Sequence, residues 1–237
     1  MTVVRVVCVA GDDPGAGAGL QRDRAVAEAL GCDWRGVTAV RTVQDEQGLR
    51  AAVPASAAQV GEELADLLAA GPAVVKTGAL GDAAVVRAVA AALAAAGRPP
   101  LVVDPVRRAS RTAVPGVRLL DDAGWREMRR KLLPLATVAT PNRDEYGDGA
   151  AFAACPAVLL TGGDAGGPEV VDRLLRRGLP PLEIRHPRLP GGEAVHGTGC
   201  ALSTALACRL GAGDDLERAA RAAVAFVADW LAGGRPQ

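Results

Sequence analysis

The feature that most constrains this chain is an alternation. Short β-branched or apolar runs at residues 3–10, 34–41, 73–77, 101–104, 136–140 and 157–161 are separated by longer Ala/Leu-rich segments. Continuous apolar runs suit strands buried on both faces, and the long intervening segments suit the crossovers that parallel strands require. The pattern therefore predicts βαβ units and a parallel sheet. Helices are expected over 19–30, 56–70 (with Ser56 as N-cap), 83–97 (capped by Asp82), 121–133, 199–210 and 216–232, and a polar loop over 42–54. Residues 169–178 read equally well as strand or helix. No stretch has the composition of a linker and no repeat is visible, so residues 1–237 are read as one domain.

In a parallel sheet, ligands bind beyond the carboxyl ends of the strands. Polar and glycine-rich residues collect there: Gly11-Asp12-Asp13, Thr77-Gly78, Asp104-Pro105, Pro141-Asn142 and Thr161-Gly162-Gly163. A further glycine-rich turn, 191–199, opens directly onto the Ala/Leu segment that begins at Cys200. Gly197 and Gly199 permit backbone conformations closed to other residues, so several N–H groups can converge on one anion at the start of a helix. The same field is expected to lower the pKa of the Cys200 thiol and give it thiolate character.

Composition removes several classes of function. Formal net charge is zero, with no basic run, and aromatics are 3% of the chain, which argues against nucleic acid as a partner. The five cysteines are scattered without a CxxC pair, as in a reducing cytoplasm. The Ala-rich stretch 83–97 is interrupted by Arg87 and is too short for a bilayer. A soluble cytoplasmic protein without a membrane partner is expected.

Individual motifs also admit plainer structural roles. Gly15-Ala16-Gly17-Ala18-Gly19 fails the dinucleotide pattern, which needs a glycine where Leu20 stands, and the segment before Lys76 lacks the glycine of a P-loop. Asn142 and Glu145, three residues apart after a strand, could hold hydrated Mg²⁺ or form an ordinary turn; Asp104 is a second carboxylate of the same ambiguity. Asp12, Asp13, Asp23 and Gln44 could read a small polar substrate. Lys76, one of two lysines, closes a buried strand and suggests either an ionic role or a structural ion pair. His186 and His196 fit no metal spacing.

Taken in order, these segments resemble the hydroxymethylpyrimidine/phosphomethylpyrimidine kinases of thiamine biosynthesis, within the ribokinase-like superfamily. Residues 10–23 are similar to the family's AGSDPSGGAGIQAD opening, 42–48 to TAQNTxG, 75–81 to VKIGMLG, 102–106 to VLDPV and 132–142 to LLPLATVITPN, while 196–200 match HGTGC. The sugar kinases of the superfamily look like GAGD at that point, with Asp where Cys200 stands.

The resemblance implies a three-layer α/β/α ribokinase-like fold with a mostly parallel central sheet. It implies ATP-dependent phosphorylation of 4-amino-5-hydroxymethyl-2-methylpyrimidine and of its monophosphate, with ATP and Mg²⁺ as cofactors. By the same resemblance, Gly197, Thr198, Gly199 and Cys200 form the catalytic anion hole and base. Gly11, Asp23, Gln44, Leu80 and Val106 line the pyrimidine pocket, Asn142, Thr161 and Gly163 face ATP, and Asp104 and Glu145 serve the metal. A homodimer is implied by the family alone, and a pyridoxal kinase-like activity or a non-catalytic binding relative are the alternatives. Three features depart from the family pattern. Thr161 stands where a Lys near the ATP phosphates is expected, residues 146–155 form a shortened crossover, and Arg107, Arg108 and Arg111 crowd the loop after Asp104.

Overall fold

The computed structural model describes residues 3–13, 15, 17–45, 48–109, 112–192 and 195–233, apart from the side chains of Gln44 and Asp45. Six strands lie parallel: β1 (Arg5–Asp12), β2 (Asp33–Asp45), β4 (Val74–Thr77), β5 (Leu101–Val103), β6 (Val138–Ala139) and β7 (Ala157–Leu160). Antiparallel strands complete both sides, β3 (Gly48–Pro54) on β2, and β8 (Glu169–Arg176) and β9 (Leu182–Pro187) beyond β7. The order across the sheet is β3-β2-β1-β4-β5-β6-β7-β8-β9.

The pleat divides the apolar residues between two cores. Along β1, Val7 and Val9 point into a core with α2 (Ala57–Ala69), α3 (Ala83–Ala95) and α4 (Asp122–Glu127). Val6, Cys8 and Ala10 point the other way, against α1 (Gly19–Ala29), α6 (Thr198–Gly211) and α7 (Leu216–Leu231). Helix, sheet and helix make the expected three layers. The helices start where their caps say they should: the Asp82 carboxylate accepts from the Ala84 and Val85 amides at 2.8 and 2.9 Å, and Asp215 from Arg218 at 2.9 Å. Ser56 occupies its expected position before α2 but makes no side-chain cap.

The structure departs from these expectations at several elements and settles the one left open. Residues 42–54 are not a loop, because β2 runs on to Asp45 and turns back as β3. Arg50 and the apolar Val43 and Val53 are exposed on this hairpin, whereas Thr42 is buried. The ambiguous segment 169–178 is strand β8, in which Val170, Asp172 and Leu174 alternate inward. Strand β9 was not foreseen at all. Its charged residues Glu183 and Arg185 face solvent and form ion pairs with Arg173 and Glu169 on β8, in keeping with a charged edge. The helix predicted over 121–133 begins on its Asp121 cap but widens into a π-helical turn, Met128–Leu132. The short connection from β6 to β7 holds only α5 (Arg143–Tyr146) and one 3₁₀ turn, Ala150–Phe152. Phe152 stacks on Tyr146 there and fills the gap under the crossover.

Candidate active site

All the parallel strands end on one edge, and α6 packs across β1, β4 and β5 with its first turn at that edge. Two glycine loops meet there. Gly19 (φ +59°) lies so close to the Gly11 carbonyl that a Cβ would collide with it, and Gly197 (φ +80°) stands in the same relation to the Gly17 carbonyl. Backbone packs directly on backbone, which only glycine permits. Asp13 fixes the first loop by accepting from the Gly15 and Ala18 amides, both at 2.9 Å. The Gln21 amide ties Asp12 to the Asp13 backbone. These two carboxylates shape the loop. Gly199, by contrast, needs no unusual φ; it lies exposed in the first turn of α6, and a Cβ there would meet nothing. Its contribution is open space above amides that have no intrahelical partner.

Directly below lies a fully enclosed ion pair. Lys76 Nζ donates to both Asp23 oxygens at 2.8 and 3.0 Å, and Thr204 Oγ1 donates to Asp23 at 2.8 Å. Lys76 and Asp23 are both wholly buried. Burial pushes the ammonium pKa down, but Asp23 and, behind it, Cys200 and Asp104 more than offset this, so the net shift is upward and Lys76 stays charged. Asp23, expected to line the pyrimidine pocket, is wholly buried and neutralises Lys76. Leu80, expected at the same pocket, is wholly buried in the apolar core. Gly11 and the half-buried Val106 remain at the edge, and the Gln44 side chain lies outside the described residues.

Cys200 also departs from expectation. Its thiol pKa is pushed up to about 12, first by burial, then with Lys76 lowering it and Asp23 and Asp104 raising it. The helix start does not prevail over desolvation and two nearby carboxylates, so the resting group is a neutral thiol.

Asp104 closes β5 and is nearly buried, with Ser203 Oγ donating to it at 3.1 Å. Burial raises its pKa to about 6, against the lowering effects of Lys76 and Ser203. Glu145 is raised to about 8, again first by burial and next by Asp104. Its position comes from a capping box: Asn142 Oδ1 accepts from the Glu145 amide at 2.8 Å and Glu145 accepts from the Asn142 amide at 3.0 Å. Asn142, expected at ATP, thus commits its carbonyl oxygen to aiming Glu145. The flanking hydroxyls of Thr77 and Thr140, at the ends of β4 and β6, are buried without a hydrogen-bond partner. Two mutually repelling carboxylates beside unpaired hydroxyls suit a hard divalent cation that keeps water and phosphate oxygens as its other ligands. No set of three or more His, Cys, Asp or Glu close enough to hold a metal ion exists among the described residues.

At the last parallel strand, the Thr161 amide donates to the Pro141 carbonyl at 3.0 Å, and the Gly162 amide to Asp172 on β8 at 2.8 Å. Gly163 is exposed, its carbonyl held by Arg188 at 2.8 Å. Ser203, Thr204, Asp172 and Arg188 were all missed from the sequence. The first three carried a usable signal, being polar residues at inward positions of otherwise apolar elements; Arg188 carried none.

A family model described as phosphomethylpyrimidine kinase matches residues 13–148 and 149–235. The chain belongs to that family. Its relatives include the hydroxymethylpyrimidine/phosphomethylpyrimidine kinase of Streptomyces coelicolor, 36% identical over 98% of this chain and 90% of the relative. Among solved structures, a phosphomethylpyrimidine kinase from Clostridium difficile superposes with TM-score 0.78 at 23% identity, covering 96% of this kinase and 99% of the other chain. Staphylococcus aureus pyridoxal kinase in complex with AMP-PCP gives TM-score 0.84 at 25% identity, covering 98% and 89%. The fold is thus common to both vitamin kinases, while the relatives by sequence favour the pyrimidine reading over the pyridoxal one. No helix among the described residues is long and apolar enough to cross a membrane.

Proposed function

We propose that this chain transfers the terminal phosphoryl group of ATP to 4-amino-5-hydroxymethyl-2-methylpyrimidine, to its monophosphate, or to both in turn. The observation that carries this reading is similarity along almost the entire chain to kinases of that name. The edge supplies the parts in support. Phosphoryl transfer asks for positioning and charge neutralisation more than for covalent help. The amides of Thr198, Gly199 and Cys200 open α6 and would hold the transferring group as an anion. Asp104 and Glu145 would hold Mg²⁺, which when bound neutralises phosphate charge. Gly11, Gln44 and Val106 would frame the pyrimidine, with Asp23 and Leu80 supporting that floor from beneath. Cys200 enters as a neutral thiol beside the anion site, and to take the acceptor hydroxyl's proton it would first have to release its own.

The test is ADP release from Mg-ATP with hydroxymethylpyrimidine, its monophosphate and pyridoxal offered separately. Turnover on a pyrimidine, lost on chelation of Mg²⁺, is expected. Turnover on pyridoxal alone would overturn the substrate, and silence with every acceptor despite pyrimidine binding would make the chain a binding protein.

A further inference from the structure

The loop after β7, residues 161–168, is fixed at both ends by residues that lie elsewhere in the sheet. At its start Asp172, 4% exposed, accepts from the Gly162 amide. A Cβ on Gly162 would collide with the Val171 carbonyl, so the loop leaves the strand pressed against β8. Beyond that point a single guanidinium spans the loop. Arg188 donates through Nε to the Gly167 carbonyl at 2.9 Å, through Nη1 to Gly163 at 2.8 Å and through Nη2 to Ala165. Its own amide donates to Pro168 at 2.9 Å.

A guanidinium has five N–H groups in a fixed fork. Three carbonyls take one each, which leaves one N–H on each of Nη1 and Nη2. Among the described residues Arg188 has no carboxylate within ion-pairing distance, whereas Arg107, from the arginine-rich loop after Asp104, is paired with Asp122 at 2.9 Å. Carbonyl dipoles orient the Arg188 charge without neutralising it. It therefore remains a fixed, half-buried cation on the glycine loop at the carboxyl end of a parallel strand, where anionic ligands of open sheets bind. Thr161, at the start of that loop, supplies no charge. We propose that Arg188 is the cationic contact of the nucleotide phosphates in this chain, and that the three carbonyls serve to aim it.

This rests on the reading of the chain as an ATP-dependent kinase, so the test uses nucleotide binding, which needs no acceptor. ADP and adenosine are titrated calorimetrically into the wild type, Arg188→Gln and Arg188→Lys. Losing charge-assisted hydrogen bonds to phosphate is expected to weaken ADP by about tenfold or more in Arg188→Gln, with adenosine changed less than about twofold. Arg188→Lys, which keeps a charge and loses the fork, is expected to recover part of the ADP affinity, and it serves as the comparison if the glutamine variant does not fold. Adding Thr161→Lys to Arg188→Gln gives an independent reading, since a new cation at the loop start should restore ADP binding only if charge was what had been lost. Unchanged ADP affinity in Arg188→Gln, or equal losses for ADP and adenosine, would overturn the proposal; the second result would make Arg188 a loop clamp alone. A wild type that binds ADP but phosphorylates neither pyrimidine removes the substrate reading and leaves the Arg188 comparison intact. One that binds no ADP removes both.

Discussion

Cys200 shows how much of a residue's chemistry lies in its surroundings. A thiol in the first turn of a helix is expected to ionise easily, and a one-dimensional reading sees only that turn. Folding brings Asp23 and Asp104 from distant parts of the chain to within electrostatic reach, and burial adds the larger effect. A resting thiolate is therefore not the nucleophile or base in waiting. As the base of the proposed reaction the thiol would have to release its own proton before taking the acceptor's, and on that reading Cys200→Ala is expected to lower kcat by about 10²-fold or more while leaving ADP affinity unchanged. A variant as fast as wild type in steady-state assays would remove Cys200 from the mechanism.

At the scale of elements, β8 and β9 hold the last loop of the site through Asp172 and its neighbour His186, whose Nε2 lies 3.6 Å from the Asp172 carboxylate. The Asp172 carboxylate beside it raises the imidazole pKa, with burial opposing it. A raised folded-state pKa means that the native protein holds the proton more tightly than the unfolded chain does. The resulting stability is complete below the ordinary imidazole value of about 6.5 and is lost as pH rises through the folded-state value. The melting-temperature gap between wild type and His186→Gln should accordingly be wide at about pH 5.5 and narrow at about pH 9. A gap independent of pH would show that the imidazole acts by packing alone. This pair was invisible in the sequence because β9 itself was. Pro180 and Pro181 read as a break, and a six-residue edge strand with one buried side chain, Ile184, gives almost no apolar signal. The parallel strands and long helices were legible because both faces of the sheet are covered and their apolar runs are continuous. The β2–β3 hairpin was not, since the continuous polar run 44–47 followed by Gly48 reads as a loop and β3 is only partly buried. The same contrast runs through the site. Asp104, Glu145 and the 197–200 turn follow strand ends or open a helix, where spacing announces them. Ser203, Thr204 and Arg188 act through contacts that span the chain.

Across the whole molecule, the two apolar cores are joined through the sheet, and the charged pair beneath the site lies on the α1–α6 side of it. Lys76 comes from β4, Asp23 from α1 and Thr204 from α6, so one buried cluster links segments 53 and 181 residues apart in sequence. Through that closure the N-terminal and C-terminal thirds of the chain share one polar centre. It also exposes the fold to a specific failure. An intact buried pair is weak evidence of net stability, but removing one partner strands the other charge where water cannot reach it. Lys76→Met is therefore expected to cost about 3–5 kcal/mol in urea-monitored unfolding, with Thr204 alone left to satisfy Asp23. Lys76→Met combined with Asp23→Asn removes the stranded charge while keeping the volume, and should recover at least half of that loss as a non-additive cycle. A single variant that loses less than about 1 kcal/mol would mean that water or a proton reaches Asp23, and the cluster would then be a polar lining of the site rather than the tie that holds its floor.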